Sequence, residues 1–304
     1  MKKIVYMGTP NYAKEILDSL LEADDIDVSL VFTQPDRVVG RKRILTPPSV
    51  KVLANEHNIE VLQPHKLTED GIKEAIERVS PDFIIVAAFG QILPKNILDI
   101  APCINLHASL LPQYRGASPI QQSLLNGDKV TGVTSMFMEE GLDTGDILEK
   151  IEFEIPTDMR LIELTDRLTK DASILTLSTI RNYDNLTPIP QDNNKATLCK
   201  KIKKSDGEIN FESALDIYYR YKAFEGWPEV YTKDGIKLDN VELLDTDSQN
   251  IIQQILEITK KGIVIGCKSG KIKIGLIQPP SKKPMNAKAY CIAKELKIGD
   301  IIFS

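Results

Sequence analysis

The chain of 304 residues predicts an α/β protein. Its N-terminal part reads as a Rossmann-like open, mostly parallel sheet with helices on both faces. Its C-terminal part reads as a small, OB-like β-barrel. Three observations carry this. The chain opens strand, turn, helix, strand, which is how an open parallel sheet begins. Phe83 to Phe89 is a continuous apolar run, as in a strand buried on both faces. Beyond a polar stretch from Thr187 to Ser205, short strand-like runs alternate with turn signals, the pattern of a small barrel.

Taken in order, residues 4–7 form a short apolar strand closed by the turn Gly8-Thr9-Pro10. A helix follows from about Asn11 to Glu22, with Ile16, Leu17, Leu20 and Leu21 on one face. Val28 to Thr33 is the second strand. No GxGxxG lies between them, so the dinucleotide fingerprint is missing. Gln34 to Pro48 reads as a long exposed loop bearing Arg37, Arg41, Lys42 and Arg43, which fits either a solvated surface or an anion contact. A helix over Ser49–His57, a short strand near Val61 and a helix over Thr68–Val79 lead to the 83–89 strand. Gly90-Gln91-Ile92-Leu93-Pro94 is the loop at its carboxyl end. The strand carrying Asn105 and His107 comes next, then a helix from Ala117 to Asn126 and a strand from Val133 to Met138. Ile147 to Ile155 suits an antiparallel hairpin or edge, and Met159 to Ile180 a long amphipathic helix.

These elements give a catalytic domain over residues 1–186, a linker over 187–205 and a β-barrel domain over 206–304. In the last, strands are expected at Val230–Thr232, Ile236–Leu244, Gly262–Cys267, Lys271–Leu276 and Lys297–Phe303, after a helix from about Ser213 to Ala223. The net charge is −5, yet lysines crowd the segment from 260 to 300, opposed there only by Glu295 and Asp300. Local basicity in an acidic protein is what a module touching a polyanion needs. Four scattered cysteines with no CxxC, and only three histidines, leave no zinc spacing and suit a reducing compartment. The start is cut off by Gly8-Thr9-Pro10 too soon for a signal peptide. No apolar stretch approaches the roughly 18 residues of a membrane span. The expectation is a cytoplasmic protein with no metal and no membrane partner.

Asn105 and His107 interrupt an apolar strand two residues apart, so amide and imidazole face the same side. Alone, they fit equally a satisfied buried amide and a packed ring. A second motif, Gly141-Leu142-Asp143-Thr144-Gly145-Asp146, adds a carboxylate on a Gly-flanked loop. Imidazole, carboxylate and amide together form an acid–base set. Ligands of open α/β sheets bind beyond the carboxyl ends of the strands, and all three residues are expected there. Asp146 reads as turn-forming, Cys103 as core, and His57 and His65 as surface residues.

The stretch Asn105-Leu106-His107-Ala108-Ser109-Leu110-Leu111-Pro112, with Tyr114-Arg115-Gly116 and Gly141-Leu142-Asp143-Thr144-Gly145, resembles the signature of the folate-dependent formyltransferases. Met7-Gly8-Thr9-Pro10, Thr33 to Arg37 with Gly40-Arg41, Pro47 to Lys51 and Gly90 to Pro94 resemble the branch whose acceptor is initiator methionyl-tRNA. The likeness covers the catalytic domain densely and the C-terminal domain thinly. It implies Asn105, His107 and Asp143 as the catalytic trio. It implies a folate site of Ser109, Leu110, Leu111 and Pro112, with Phe89, Gly90, Gln91, Ile92 and Leu93 as pterin wall. The co-substrate would be 10-formyltetrahydrofolate, released as tetrahydrofolate, and the protein a monomer. The 34–48 loop would wedge at the tRNA acceptor end, with Arg41 as key contact beside Arg37, Lys42 and Arg43. Lys201, Lys203 and Lys204 would contact the tRNA further on. Three departures stand out: Glu225-Gly226 precedes Trp227-Pro228 where the family has Asn-Pro, Val38-Val39 replaces Pro-Ala, and the basic residues after Arg41 are slightly rearranged. A sugar-nucleotide N-formyltransferase is the main rival, sharing the donor but needing no cationic loop. A folate- or RNA-binding module without turnover and a formyl-folate hydrolase are the others.

Overall fold

The computed structural model describes every residue except Arg41 and Ser304. The chain divides into two compact units. The first comprises Met1–Pro119, Lys129–Ile155 and Glu163–Lys200, and the second Ile120–Asp128, Pro156–Ile162 and Lys201–Ser304. Residues 187–200, expected as part of a linker, are therefore counted within the first unit.

The chain runs β1 (Lys2–Gly8), α1 (Asn11–Leu21), β2 (Ile26–Phe32), β3 (Arg37–Val39), β4 (Ile44–Thr46), α2 (Ser49–Glu56), β5 (Val61–Leu62) and α3 (Ile72–Val79). There follow β6 (Phe83–Ala87), α4 (Lys95–Leu98), β7 (Cys103–His107), β8 (Arg115–Gly116), α5 (Pro119–Leu125), β9 (Val130–Phe137), β10 (Ile147–Glu154), α6 (Leu161–Asn182) and β11 (Leu198–Cys199). The main sheet has seven strands in the order β10-β9-β7-β6-β1-β2-β5. Pairing is parallel from β5 through β7 and antiparallel at β7–β9 and β9–β10.

Alternation along the strands sends side chains to two covered faces. On β1, Val5 and Met7 join a core with Ile72 and Ile76 of α3 and with Phe89 and Leu93. Tyr6 points the other way, and its hydroxyl donates to the Ala13 carbonyl of α1 at 2.5 Å. All of β6 is buried, which is why its sequence shows no polar alternation. In α1 the spacing of Ala13, Ile16, Leu17 and Leu20 puts all four inside. Burying each such large side chain contributes about 1.5–3 kcal/mol.

The basic segment after β2 is more ordered in form than a loop. It is a hairpin, with Arg37 opposite Thr46, Val38 opposite Leu45 and Val39 opposite Ile44.

In the second unit, α7 (Ala214–Ala223) precedes β12 (Lys237–Gln249), β13 (Ile255–Thr259), β14 (Gly262–Gly266), β15 (Ser269–Gln278), β16 (Met285–Asn286) and α8 (Ala287–Ala293). The strands form one antiparallel sheet, ordered β12-β15-β14-β13, with β16 beside β15. Ile263, Ile265, Ile272 and Ile274 are fully buried in it. Two expected strands shrink to single bridges. Tyr231 meets Glu208 and Lys237, and within Lys297–Phe303 only Ile301 bridges Gln254. That last segment carries the turn at Lys297–Asp300, where the Asp300 carboxylate accepts from the Lys297 N–H and stops a strand from starting. Helix α8 escapes a sequence reading because it is under two turns long. It is set by the Asn286 side chain, which accepts from the Lys288 N–H, and by burial of Ala287, Tyr290 and Cys291.

Candidate active site

β7 lies between β6 and β9, with Asn105 opposite Val86 and Met136, and His107 opposite Thr134. Cys103 belongs to the core on the α3 face. Period two therefore places Asn105 and His107 on that same face, beyond the end of the apolar packing. Both are buried, Asn105 to 8% and His107 to 6% exposure. His107 Nε2 lies 2.8 Å from the Tyr114 carbonyl oxygen. A carbonyl only accepts, so Nε2 carries a hydrogen and Nδ1 is the nitrogen left to exchange a proton. For the Asn105 side chain no hydrogen-bond partner occurs among the described residues. That leaves the amide available to hydrogen-bond to another polar group.

Asp143 reaches the same spot by a different route. β9 runs antiparallel to β7, and its end, Phe137, lies beside Ile104 at the start of β7. The loop thus leaves at the amino ends of the parallel strands, not at the carboxyl ends as expected. It turns back far enough to bring the Asp143 carboxylate 3.7 Å from His107 Nδ1. That distance allows charge attraction but is too long for a direct hydrogen bond. The carboxylate accepts from the Gly116 N–H at 2.8 Å. Asp143 has φ +52°, in the left-handed region that Asp tolerates better than most residues. Gly145 has no room for a Cβ, which would stand 2.0 Å from the Phe137 carbonyl oxygen.

The Ser109–Pro112 stretch is held rigidly beside the trio. Ser109 Oγ donates to the Gln113 carbonyl at 2.6 Å, and Thr134 Oγ1 donates to the Ser109 carbonyl and accepts from Leu111 N–H. The Lys150 ammonium donates to the Leu111 carbonyl at 2.5 Å, and burial lowers its pKa. Leu111 is fully buried and Leu110 partly so. In the loop after β6, Phe89 and Leu93 point into the core, whereas Ile92 is 79% exposed. Gly90 has φ +83°, and Gln91 Nε2 donates to the Pro64 carbonyl. Of that loop, the buried pair packs inward, and Gly90 and Ile92 present surface.

Residues 187–199, in which the sequence offered only polarity and prolines, form a belt around the site. Ile189 and Ile147 exchange both backbone hydrogen bonds at 2.8 Å. Gln191 Nε2 donates to the carbonyls of Asp143 at 2.9 Å and Gly145 at 2.7 Å. The buried Arg115 guanidinium donates to Gln191 Oε1 through Nε and Nη2, and through Nη2 to Asn193 Oδ1. β11 then pairs in parallel with β8. The signal that could have found the belt is Arg115 itself, a charge inside a strand-and-turn motif that needs acceptors from somewhere.

Of the basic residues, Arg37, Lys42 and Arg43 are exposed on the β3–β4 hairpin, and Arg41 lies outside the described residues. Val38, Val39, Ile44 and Leu45 are each more than half exposed on the same hairpin. Arg37 Nη2 donates to Gln34 Oε1, and Gln34 Nε2 donates to the Phe89 carbonyl, so the hairpin base is tied to the loop after β6. Gln63 and Lys51 bond the Asp36 carboxylate at that base and hold its pKa below the usual range. Lys201, Lys203 and Lys204 are exposed in the second unit. Among the described residues no group of three or more His, Cys, Asp or Glu could hold a metal, and no helix is long and apolar enough to cross a membrane. His57 and His65 are exposed, and Cys103 is buried with its thiol pushed up to about 12 by burial, which removes it as a nucleophile.

An open α/β sheet here brings an amide, an imidazole and a carboxylate together, a set suited to acid–base chemistry. The chain belongs to the formyl transferase family: residues 2–180 match the formyl transferase domain, and residues 201–294 its C-terminal domain. It is 64% identical over 300 residues to the methionyl-tRNA formyltransferase of a Sulfurovum species, covering 99% of both chains. To that of a Nitratiruptor species it is 50% identical over 303 residues, covering 99% of this chain and all of the other. Among solved structures, an N-formyltransferase from Helicobacter canadensis, in complex with folinic acid and dTDP-3-aminofucose, matches with TM-score 0.67 at 20% identity. That match covers 90% of this chain and 98% of the other, and it speaks to the fold.

Proposed function

We propose that the protein transfers the formyl group of 10-formyltetrahydrofolate to the α-amino group of methionyl initiator tRNA. Identity to full-length relatives of that activity, at 46–64% over nearly the whole chain, is the observation that carries the acceptor. The residues fit a folate donor. Asn105 lies on the buried strand β7 with its amide free of any bond among the described residues, the Ser109–Pro112 turn is pinned by Thr134 and Lys150, and Gly90 and Ile92 offer surface over a packed floor.

In the reaction the neutral amine attacks the formyl carbon, and negative charge grows on the formyl oxygen. The Asn105 N–H is aimed to stabilise that oxygen, and a preorganised donor in a water-poor site is worth more than one in solvent. His107 keeps its Nε2–H on the Tyr114 carbonyl. Nδ1 is the ring nitrogen left to pass a proton, and it lies 3.7 Å from the Asp143 carboxylate. Asp143 accepts the proton lost by the amine, directly or through water. Collapse then breaks the bond from the formyl carbon to the folate nitrogen, which takes up a proton in turn. Holding two large substrates in register supplies much of the remaining acceleration.

The exposed cations Arg37, Lys42 and Arg43 suit the acceptor end of a tRNA, as do Arg41 and the lysines 201, 203 and 204. Residues 206–304, with their lysine-rich surface, are assigned to tRNA binding. The protein would act in the cytoplasm, as a monomer. A single-turnover assay with 10-formyltetrahydrofolate, offering methionyl initiator tRNA or an amino-sugar nucleotide, tests the reading. Transfer to the tRNA is expected, and transfer to the sugar alone would overturn the acceptor while leaving the trio.

A further inference from the structure

We propose that Gln191 is a positioning residue, and that it sets Asp143 for proton transfer from a segment which supplies no catalytic group. The inference rests on the formyl-transfer reading above.

The need for such a residue follows from topology. The 138–146 loop starts at the wrong end of β7 and has to hold a left-handed Asp143 against His107. A Gly-flanked loop held only at its two ends samples many positions. Here a closed circuit of hydrogen bonds fixes it. The Asp143 carboxylate takes the Gly116 N–H, and Gly116 follows Arg115 in the chain. Arg115 donates twice to Gln191 Oε1, and Gln191 Nε2 returns to the Asp143 carbonyl. Both ends of one residue, its side chain and its backbone, are thus tied to one strand, β8. The second hydrogen of the same amide goes to Gly145.

Chemistry fixes the side chain at position 191. A guanidinium only donates, so the atom facing it must be an acceptor. Two carbonyls only accept, so the atom facing them must be a double donor. Glutamine satisfies both. Glutamate would keep the attraction to Arg115 but turn a carboxylate oxygen on two carbonyls, and leucine would leave Arg115 only Asn193 as recorded acceptor.

The test compares Gln191→Leu and Gln191→Glu in the full chain, each alone and combined with Asp143→Ala. Single-turnover formyl transfer should fall roughly 10- to 100-fold in either single variant, as for a small misplacement of a reacting group. KM for the folate donor and for the tRNA should stay within about twofold. In the Asp143→Ala background, adding either Gln191 variant should cost nothing further, because its effect runs through that carboxylate. A multiplicative loss in the double variant, or wild-type kcat in Gln191→Glu, would overturn the proposal. Hydrogen exchange at the Gly116 N–H gives a readout apart from turnover. Protection there should be lost in Gln191→Glu and in Asp143→Ala alike, with the exchange of β6 amides unchanged, and retained protection in Gln191→Glu would count against the circuit. A wild-type protein inert toward both acceptors would remove the functional reading, while the exchange experiment would still decide the circuit. Should Gln191→Leu fail to fold, Gln191→Glu carries the test, since its carboxylate keeps a partner for the buried Arg115.

Discussion

β7 and the 141–146 loop deliver groups to the same few ångströms, and they are held by opposite means. Asn105 and His107 sit on a central strand, paired on both sides and buried on both faces. Their direction follows from the pleat, and the nearby Tyr114 carbonyl sets the His107 ring. Asp143 sits on a loop that doubles back, and its direction comes from partners far off in sequence, Gly116 and Gln191. A rigid element fixes a group through its own backbone, whereas a loop must be fixed through its neighbours.

The comparison breaks most readily at the strand. Asn105→Ala removes the amide proposed to stabilise the oxyanion and should lower kcat by about 10²–10³-fold, with little change in melting temperature. Steady-state kinetics beside a thermal melt would check this, and a loss confined to KM would remove the oxyanion role. At the loop, Gly145→Ala sets a Cβ against the Phe137 backbone, which cannot yield as a side chain could. The loop should shift and kcat should fall by roughly 10²-fold. Unchanged kcat would mean that the loop tolerates displacement and that the contrast with β7 is overstated.

A smaller effect is expected where the hairpin meets the donor side. Gln34 joins Arg37 to the Phe89 carbonyl by neutral or singly charged hydrogen bonds. Gln34→Ala should raise KM for tRNA by roughly 2- to 10-fold, the worth of one such bond. An equal rise for the folate donor would place Gln34 in the donor site proper.

The least effect belongs to the cysteines and appears only in alkali. Burial raises the thiols of Cys103, at the foot of β7, and Cys199, in the belt. For Cys103 the rise is from 9.0 to about 12. The folded state then holds the proton more tightly than the unfolded chain, so stability is level below about pH 9 and falls as pH climbs toward 12. At pH 8 neither thiol should be alkylated in the native protein. In Gln191→Leu, Cys199 should react before Cys103, because the belt loosens and the strand does not. Mass spectrometry of timed alkylation would read the order.

Much of the first unit is legible in the sequence because its signals are local. The uninterrupted apolar run of β6, the period of α1 and the polar pair in β7 each declare their surroundings within a few residues. The hairpin reads as a loop because Val38-Val39 and Ile44-Leu45 stay exposed, so no core alternation marks them. The Lys297–Phe303 segment looks like a strand by composition, and the Asp300 turn decides otherwise. The belt is illegible for a deeper reason. Gln191 and Asn193 read as linker residues, and their purpose lies in a charge at Arg115 and two carbonyls on another loop.

By itself the sequence determined the strand that bears Asn105 and His107, their common side, and a Gly-flanked loop that offers a carboxylate. Those facts depend on backbone period and residue chemistry, which act over a few residues. Only the tertiary structure decided how Asp143 arrives, since the antiparallel β9 sends its loop out at the far end of β7. It alone decided what holds that loop, because hydrogen bonds between segments distant in the chain leave no periodic trace in either one.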